Sequence, residues 1–425
     1  MRIETAQREQ LQQWEKELDQ QYQRICQHNL SLDITRGKPA ADQLSLSDSL
    51  DGILNGDYRA PDGTDTRNYG GLEGIAAARE LGADILQVPF DEVLAGGNSS
   101  LTLMYHAVLT GYLFGFAGNQ PWKDMRAPKF LCPVPGYDRH FSICEQLGIA
   151  MDTVPMTATG PDMDVLEQKI REDDQVIGLW CVPKFSNPTG VTYDADTVDR
   201  LAQLAKIANP GFRIFWDNAY AIHDLDHQVK LPNIREAALG NETADSVLQF
   251  ASTSKVTHAG AGVAFVSASP ANLASLKQQM SAMTIGPDKV NQLRHARLFP
   301  ELTQLKEHMQ KHAEILRPKF ACVLEHLEKN FADTDLGEWE KPQGGYFVSF
   351  NTRPGVASEV IRLSAEAGVK LTPAGATFPY GKDPENTNIR IAPSFPPLEE
   401  LDTAMSVFVL CVKLASVRKA LEQAA

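Results

Sequence analysis

The 425-residue chain predicts an α/β fold, with a mostly parallel central sheet flanked by helices and a smaller α+β unit closing over it. Three observations carry this expectation. From about residue 85, apolar runs of strand length alternate with helical stretches, the rhythm of parallel strands joined by crossover helices. Polar, chemically capable groups follow five of those runs, as expected where ligands bind at the carboxyl ends of strands in an open sheet. After residue 286 the texture changes to long charged helical patterns around short strands.

In chain order, the opening MRIETAQREQLQQWEKELDQQYQ is polar and helical in pattern, without the apolar centre of a signal peptide. The loop LDITRGKPAADQ follows, and residues 1–45 are expected to pack on the smaller unit. Residues 46–285 form the expected large domain, with strands in EVLAGG, KFLCPVPG, VIGLWCVP, FRIFWDNAY, SVLQFAS and GVAFVSA. Residues 286–425 form the expected small domain, with helical patterns over 301–330 and 398–423 flanking strands in GGYFVSF and NIRIAPS. No internal repeat or low-complexity tract interrupts this order.

Composition narrows the function. Hydrophobic residues make up 43% of the chain, enough for a sizeable core. The net charge of −14, with no basic block, argues against nucleic acid or an anionic membrane as partner and for small molecules or a second copy of the chain. No run approaches 18 uncharged apolar residues, so a cytoplasmic location is the default. The six cysteines are scattered and read as reduced thiols rather than a disulfide framework or metal pair.

The chemistry concentrates in the strand-end motifs. GGNSS at 96–100, opening a helical stretch, suits an anion held by backbone N–H groups and the helix dipole, or simple N-capping by Asn98 or Ser99. There is no GxxxxGK[ST] and no complete GxGxxG, which leaves nucleotide fingerprints unsupported. Asp217, ending a strongly apolar strand in WDNAY, calls for a cationic partner such as a protonated ring nitrogen, although a helix cap or buried ion pair would also account for it. STSK at 252–255 matches the SxxK of serine β-lactamases, but the chain has no SDN or KTG and the segment closes a strand instead of opening a helix. Two readings stay open for Lys255: an ordinary solvated surface charge, or a lysine that forms a Schiff base, with hydroxyls around it for a phosphate.

NYGGLEG (68–74), GGNSS, PGY (135–137), SNPTG (186–190), DNAY (217–220), STSK and NIRIAPS (388–394), in this order, resemble the motifs of pyridoxal-phosphate-dependent class I aminotransferases of fold type I. The separations support it: 30 residues from Asn187 to Asp217, 3 on to Tyr220, and 38 from Asp217 to Lys255. The resemblance implies that Lys255 carries pyridoxal 5′-phosphate as an aldimine and shuttles the reacting proton. Asp217 would hold the ring nitrogen protonated, Asn187 and Tyr220 would bond the ring oxygen, and Tyr137 would stack on the ring. Asn98, Ser99, Ser100, Ser252 and Ser254 would bind the phosphate, and Tyr69 would reach the phosphate of the other subunit of a homodimer. Arg390 and Asn187 would hold the substrate's α-carboxylate, with Gly37 nearby and Arg36 the preferred group for a distal carboxylate.

One position departs from the family. Gly262 in Gly260-Ala261-Gly262 stands where an arginine usually neutralises the phosphate, and Arg36, Lys184, Arg294, Arg297 and Lys382 are candidate replacements. The same GAG pattern, with the LDITRGKP, PKFSNPTG and TIGPDKVNQLRH segments, resembles a divergent bacterial subgroup of aspartate aminotransferases. The expected reaction is therefore ping-pong amino transfer between L-aspartate and 2-oxoglutarate. The alternatives are a β-lyase, decarboxylase or cyclopropane-forming synthase on the same fold, or an aminotransferase for aromatic, alanine or aminoadipate-type substrates. A regulator with an appended DNA-binding domain is disfavoured by the roughly 30 residues before LDITRGKP. No metal is expected: His308 and His312 at i, i+4 read as a solvated helix face, HDLDH (223–227) as a loop at the rim, and His258 as a loop or core histidine close to the phosphate region.

Overall fold

The computed structural model describes residues 1–423. Its strands are β1 (Leu32–Asp33), β2 (Val93–Ala95), β3 (Lys129–Val134), β4 (Ala150–Thr157), β5 (Gly160–Pro161), β6 (Val176–Cys181) and β7 (Arg213–Asp217). After these come β8 (Val247–Ser252), β9 (Ala264–Ala268), β10 (Gly337–Trp339), β11 (Val348–Thr352), β12 (Val369–Lys370) and β13 (Asn388–Ile391). Eight of them form one sheet in the order β2-β9-β8-β7-β6-β3-β4-β5. Its centre, β8-β7-β6-β3-β4, is parallel. β9 runs against both β8 and β2, and β5 runs against β4. β2 therefore points the same way as β8, and the GVAFVSA run, which the alternating rhythm places among the parallel strands, is the reversed strand between them.

The central strands are apolar throughout because both faces are covered; β6, β7 and β9 are buried at every position. On one face Phe130, Trp180 and Phe215 pack edge and face, with ring centroids 4.8–5.4 Å apart. Gly178 makes room for them, since a Cβ there would lie 2.4 Å from the Phe130 ring. Side-chain caps set the start of several helices around the sheet: Asp162, Asp194, Asn233, Ser269 and Asp288 each accept N–H groups of the first turn.

A second, antiparallel sheet, β10-β11-β13, packs under the helices Leu302–Phe331 and Leu398–Gln423. The N-terminal helix Arg8–Cys26 lies along the latter, tied by Arg418 to Glu15 and Asp19. β1 pairs in parallel with β12, which brings the loop after Asp33 beside this second sheet. Gly344–Phe347, expected as the start of a strand, is instead an irregular turn, and pairing begins at Val348. No helix among the described residues is long and apolar enough to cross a membrane.

Candidate active site

The carboxyl ends of β2, β3, β6, β7 and β8 face one rim, and each delivers part of the site. β7 ends in Asp217, which is 2% exposed. Its Oδ2 accepts a hydrogen bond from His140 Nε2 at 2.9 Å, while Oδ1 is buried without a partner. A carboxylate oxygen left unmatched inside a protein is costly, so a cationic N–H donor is the group this position fits. His140 lies parallel on Trp180, with centroids 4.3 Å apart, and edge-on to Tyr137 at 4.9 Å. It completes the Tyr137–Asp217 arrangement. The PGYDRH motif already contains it, one helical turn after Tyr137, yet histidine–carboxylate pairing across 77 residues has no local signature.

Lys255 sits in a single turn after β8, closed by the Val256 and Thr257 N–H groups on the Thr253 carbonyl. Its Nζ lies 5.0 Å from the Tyr220 ring centroid and 6.0 Å from that of Tyr346. Burial lowers the amine pKa below the ordinary lysine range, Asp217 raises it in part, and Arg390 lowers it further. A lowered lysine pKa makes the neutral, nucleophilic amine accessible. Burial also pushes the Tyr220 and Tyr137 hydroxyls upward, so both remain protonated donors.

Arg390 reaches the rim from β13. Its Nη1 donates to Asp138 Oδ1 at 3.0 Å and Asn187 Oδ1 at 3.3 Å, its Nε to Thr372 Oγ1 at 3.4 Å, and its guanidinium lies 4.9 Å from the Phe347 ring centroid. Gly37 closes against the same ring, where a Cβ would stand 2.5 Å from Phe347 Cζ. Arg36 next to it is exposed, with no side-chain hydrogen bond or ion pair among the described residues.

Opposite, the helix Ser100–Leu113 begins beside the Lys255 turn, with Ser99 at its N-cap. Ser254 Oγ donates to the Asn98 carbonyl at 2.9 Å, Ser252 Oγ lies 3.2 Å from Ser254 Oγ, and Asn98 Nδ2 donates to the Gly260 carbonyl at 3.0 Å. These contacts gather hydroxyls and a helix N-terminus into an anion cradle. Gly262 leaves little room for a side chain: a Cβ would be 3.0 Å from Ser254 N and 3.1 Å from Thr253 Oγ1, so these neighbours would have to give by a few tenths of an ångström. Two candidate replacements are engaged elsewhere, Lys184 with Asp224 and Arg297 with Asp57. Tyr69 is 84% exposed on a loop whose Asn68 and Gly70 carbonyls accept from the buried Lys289.

Two expectations are corrected here. His308 and His312 do not form a solvated face; both are buried with Nε2 on the Val256 carbonyl, because the helix turns its i, i+4 stripe toward the Lys255 turn. His223 of HDLDH is buried and meets the Lys255 carbonyl at 3.2 Å rather than lining a rim. His258 lies in a loop, with Nε2 3.8 Å from Asp48 Oδ1, in line with its reading as a loop histidine. Among the described residues one set of metal-type ligands converges, Cys322, His326 and Asp402, but His326 Nε2 is already bonded to Asp402 Oδ1 at 2.8 Å.

The family model described as "Aspartate amino-transferase" matches residues 6–424. An aspartate aminotransferase of Corynebacterium glutamicum is 46% identical, over 94% of this chain and 93% of its own. The crystal structure of an aspartate transaminase from the same organism superposes with a TM-score of 0.96 at 43% identity, covering 99% of both chains. The α-aminoadipate aminotransferase of Thermus thermophilus, solved with N-(5′-phosphopyridoxyl)-L-leucine, shares the fold at a TM-score of 0.73 and 22% identity, over 93% of this chain and 94% of its own.

Proposed function

The chain belongs to the aspartate aminotransferase family, and on that premise we propose that it moves an amino group between L-aspartate and 2-oxoglutarate with pyridoxal 5′-phosphate as coenzyme. The observation that carries this reading is the pairing of a buried amine, Lys255, with a buried carboxylate, Asp217, one of whose oxygens awaits a donor. When bound, the coenzyme supplies an electron sink for the pair of electrons released at the substrate's Cα.

The chain's own residues do the rest. Lys255 would hold the coenzyme, and its neutral Nζ, when free, would act as the general base and acid that takes the substrate's Cα proton and returns it. Asp217 Oδ1, buried without a partner, would accept from a protonated ring nitrogen, and His140, fixed by stacking on Trp180, keeps the carboxylate from turning. Tyr220 and Asn187 donate to the ring oxygen, and Tyr137 covers the ring face. Asn98, Ser99, Ser100, Ser252 and Ser254 receive the phosphate through hydroxyls and the helix N-terminus in place of the arginine absent at Gly262. Arg390 offers a bidentate fork to the α-carboxylate, exchanging its contact with Asp138.

A dicarboxylic substrate needs a second cation. Arg36 stands one residue from Gly37, and the exposed Arg139 is close enough for its charge to act on Tyr137; both lack an ion-pair partner among the described residues. We place distal-carboxylate recognition at this rim. Replacing the responsible arginine with alanine is expected to raise the KM for aspartate at least about tenfold while leaving the KM for alanine near wild type. If neither variant does this, the cation lies elsewhere.

Exposed Tyr69, Met283 and Ile285, carried on loops that meet where Gly286 approaches the Gly70 carbonyl, support a homodimer in which Tyr69 serves the other site. The deciding measurement for the whole reading is the visible spectrum of the coenzyme-loaded protein before and after L-aspartate. Conversion of the band with stoichiometric oxaloacetate, absent in Lys255→Ala, is the expected outcome; an unchanged band removes aspartate as substrate, and colourless reconstituted protein removes the coenzyme.

A further inference from the structure

Two successive carbonyls, those of Lys255 and Val256, are bonded by side chains from three separate stretches of the chain. The Lys255 carbonyl meets His223 Nε2 at 3.2 Å and the Tyr346 hydroxyl at 3.4 Å. The Val256 carbonyl meets His308 Nε2 at 2.7 Å and His312 Nε2 at 2.9 Å. Behind them sits Gln43, of the short helix Ala41–Ser45, which is fully buried.

Donor and acceptor counting gives this cluster a direction. The Ala40 N–H can only donate, so its 3.1 Å contact with Gln43 Oε1 fixes which way the amide points. Both protons of Gln43 Nε2 are then assigned: one goes to the Tyr346 oxygen at 2.9 Å, the other to His312 Nδ1 at 3.1 Å. An Nδ1 that accepts carries no proton, so the His312 proton is on Nε2, which lies 2.9 Å from the Val256 carbonyl and 3.1 Å from His308 Nε2 and donates to the nearer carbonyl. Tyr346, already an acceptor, turns its own proton to Lys255. Of the four groups on the two carbonyls, one on each, Tyr346 and His312, takes its orientation from one amide on a different element.

We propose that Gln43 is a positioning residue for Lys255, acting through the tautomer of His312 and the hydroxyl of Tyr346 to fix the turn that carries the amine. Gln43 satisfies two members of the cluster, His312 Nδ1 and the Tyr346 oxygen, while His223 Nδ1 is buried without a partner, so the turn depends the more on the contacts that Gln43 orients. It also stands on the segment that carries Gly37, so the loop bordering Arg390 and the turn bearing Lys255 share one support. The inference rests on the reading of Lys255 as the coenzyme lysine.

Gln43→Glu tests it at a pH high enough to keep the imidazole neutral, because a carboxylate still accepts from Ala40 but cannot donate to His312; the single imidazole proton then moves to Nδ1, and Nε2 no longer donates to Val256. His312→Gln provides an amide N–H for Val256 that needs no tautomer. In coenzyme-free protein, hydrogen exchange of the peptide covering 253–258 should be about tenfold faster in Gln43→Glu than in wild type. In loaded protein, kcat should fall about tenfold with the KM for the amino acid changed less than about twofold, and the pH midpoint of the visible coenzyme band should shift. In the His312→Gln background, Gln43→Glu should add a smaller increment of exchange than in wild type, the part that runs through Tyr346. Tyr346→Phe, which removes only the oxygen, should shift the same midpoint and guards against a Gln43 variant that does not fold. Wild-type exchange in Gln43→Glu, or an equal increment with and without His312→Gln, overturns the proposal. Loss of transamination in the wild-type protein would instead sink the reading of Lys255, and the exchange comparison would still decide the network.

Discussion

His312 illustrates how a single residue changes meaning between sequence and structure. With His308 at i, i+4 in a charged stretch it reads as surface, because local pattern counts neighbours in sequence and this helix has its polar residues distributed around most of its circumference. In the fold it is 1% exposed, and burial lowers its pKa to about 4; His223, buried beside Lys255, is lowered to about 3. A histidine whose folded pKa lies below its unfolded value near 6.5 contributes stability that is complete above that pH and lost as pH falls through the window toward the folded pKa. Between pH 7 and pH 5 His312 alone should cost the fold about 2 kcal/mol. Denaturant unfolding at the two pH values checks this, and His312→Gln should flatten the slope by about that amount. Asp217 and Lys255, by contrast, were legible: a carboxylate and an amine at the ends of apolar strands are anomalies that the residue types themselves expose. His140 was not, since only the register of two distant elements makes it a partner.

Elements place these residues through their ends. β7 and β8 run parallel, with Asp217 opposite Phe250, so the turn after β8 brings Lys255 alongside Asp217 without any sequence proximity. The alternating apolar rhythm made the central strands readable, but it did not distinguish the reversed β9, because a buried strand looks the same in either direction. Reversal has a consequence at Gly262, which opens the return from the Lys255 turn into β9 and packs on the backbone of Ser254. Restoring the family's arginine by Gly262→Arg should therefore fail: the Cβ would push on Ser254 and Thr253, lower the melting temperature and weaken coenzyme affinity at least about tenfold. A variant that binds the coenzyme more tightly than wild type would show that the backbone gives way and that the charge matters more than the fit.

At the scale of the whole molecule, the site draws on the eight-stranded sheet, on β13 of the second sheet and on the N-terminal loop, and its Tyr69 loop turns outward. If Tyr69 completes the site of a second copy, mixing Lys255→Ala with Tyr69→Ala chains and allowing exchange should create hybrid dimers with one intact site of two. Activity should then rise to about a quarter of wild type in a statistical mixture, above the sum of the parents. No gain on mixing would place Tyr69 outside the catalytic unit. The sequence by itself determined the α/β class, the aminotransferase family and which polar residues stand at the strand ends, because a charged or hydroxyl residue closing an apolar run stands out locally. Only the tertiary structure decided which polar groups meet: His140 on Asp217, Gln43 through His312 and Tyr346 on the Lys255 turn, and the tight space at Gly262. Those are contacts between elements far apart in the chain, set by packing and register, and hydrogen-bond partnership across such distances leaves no periodicity to read.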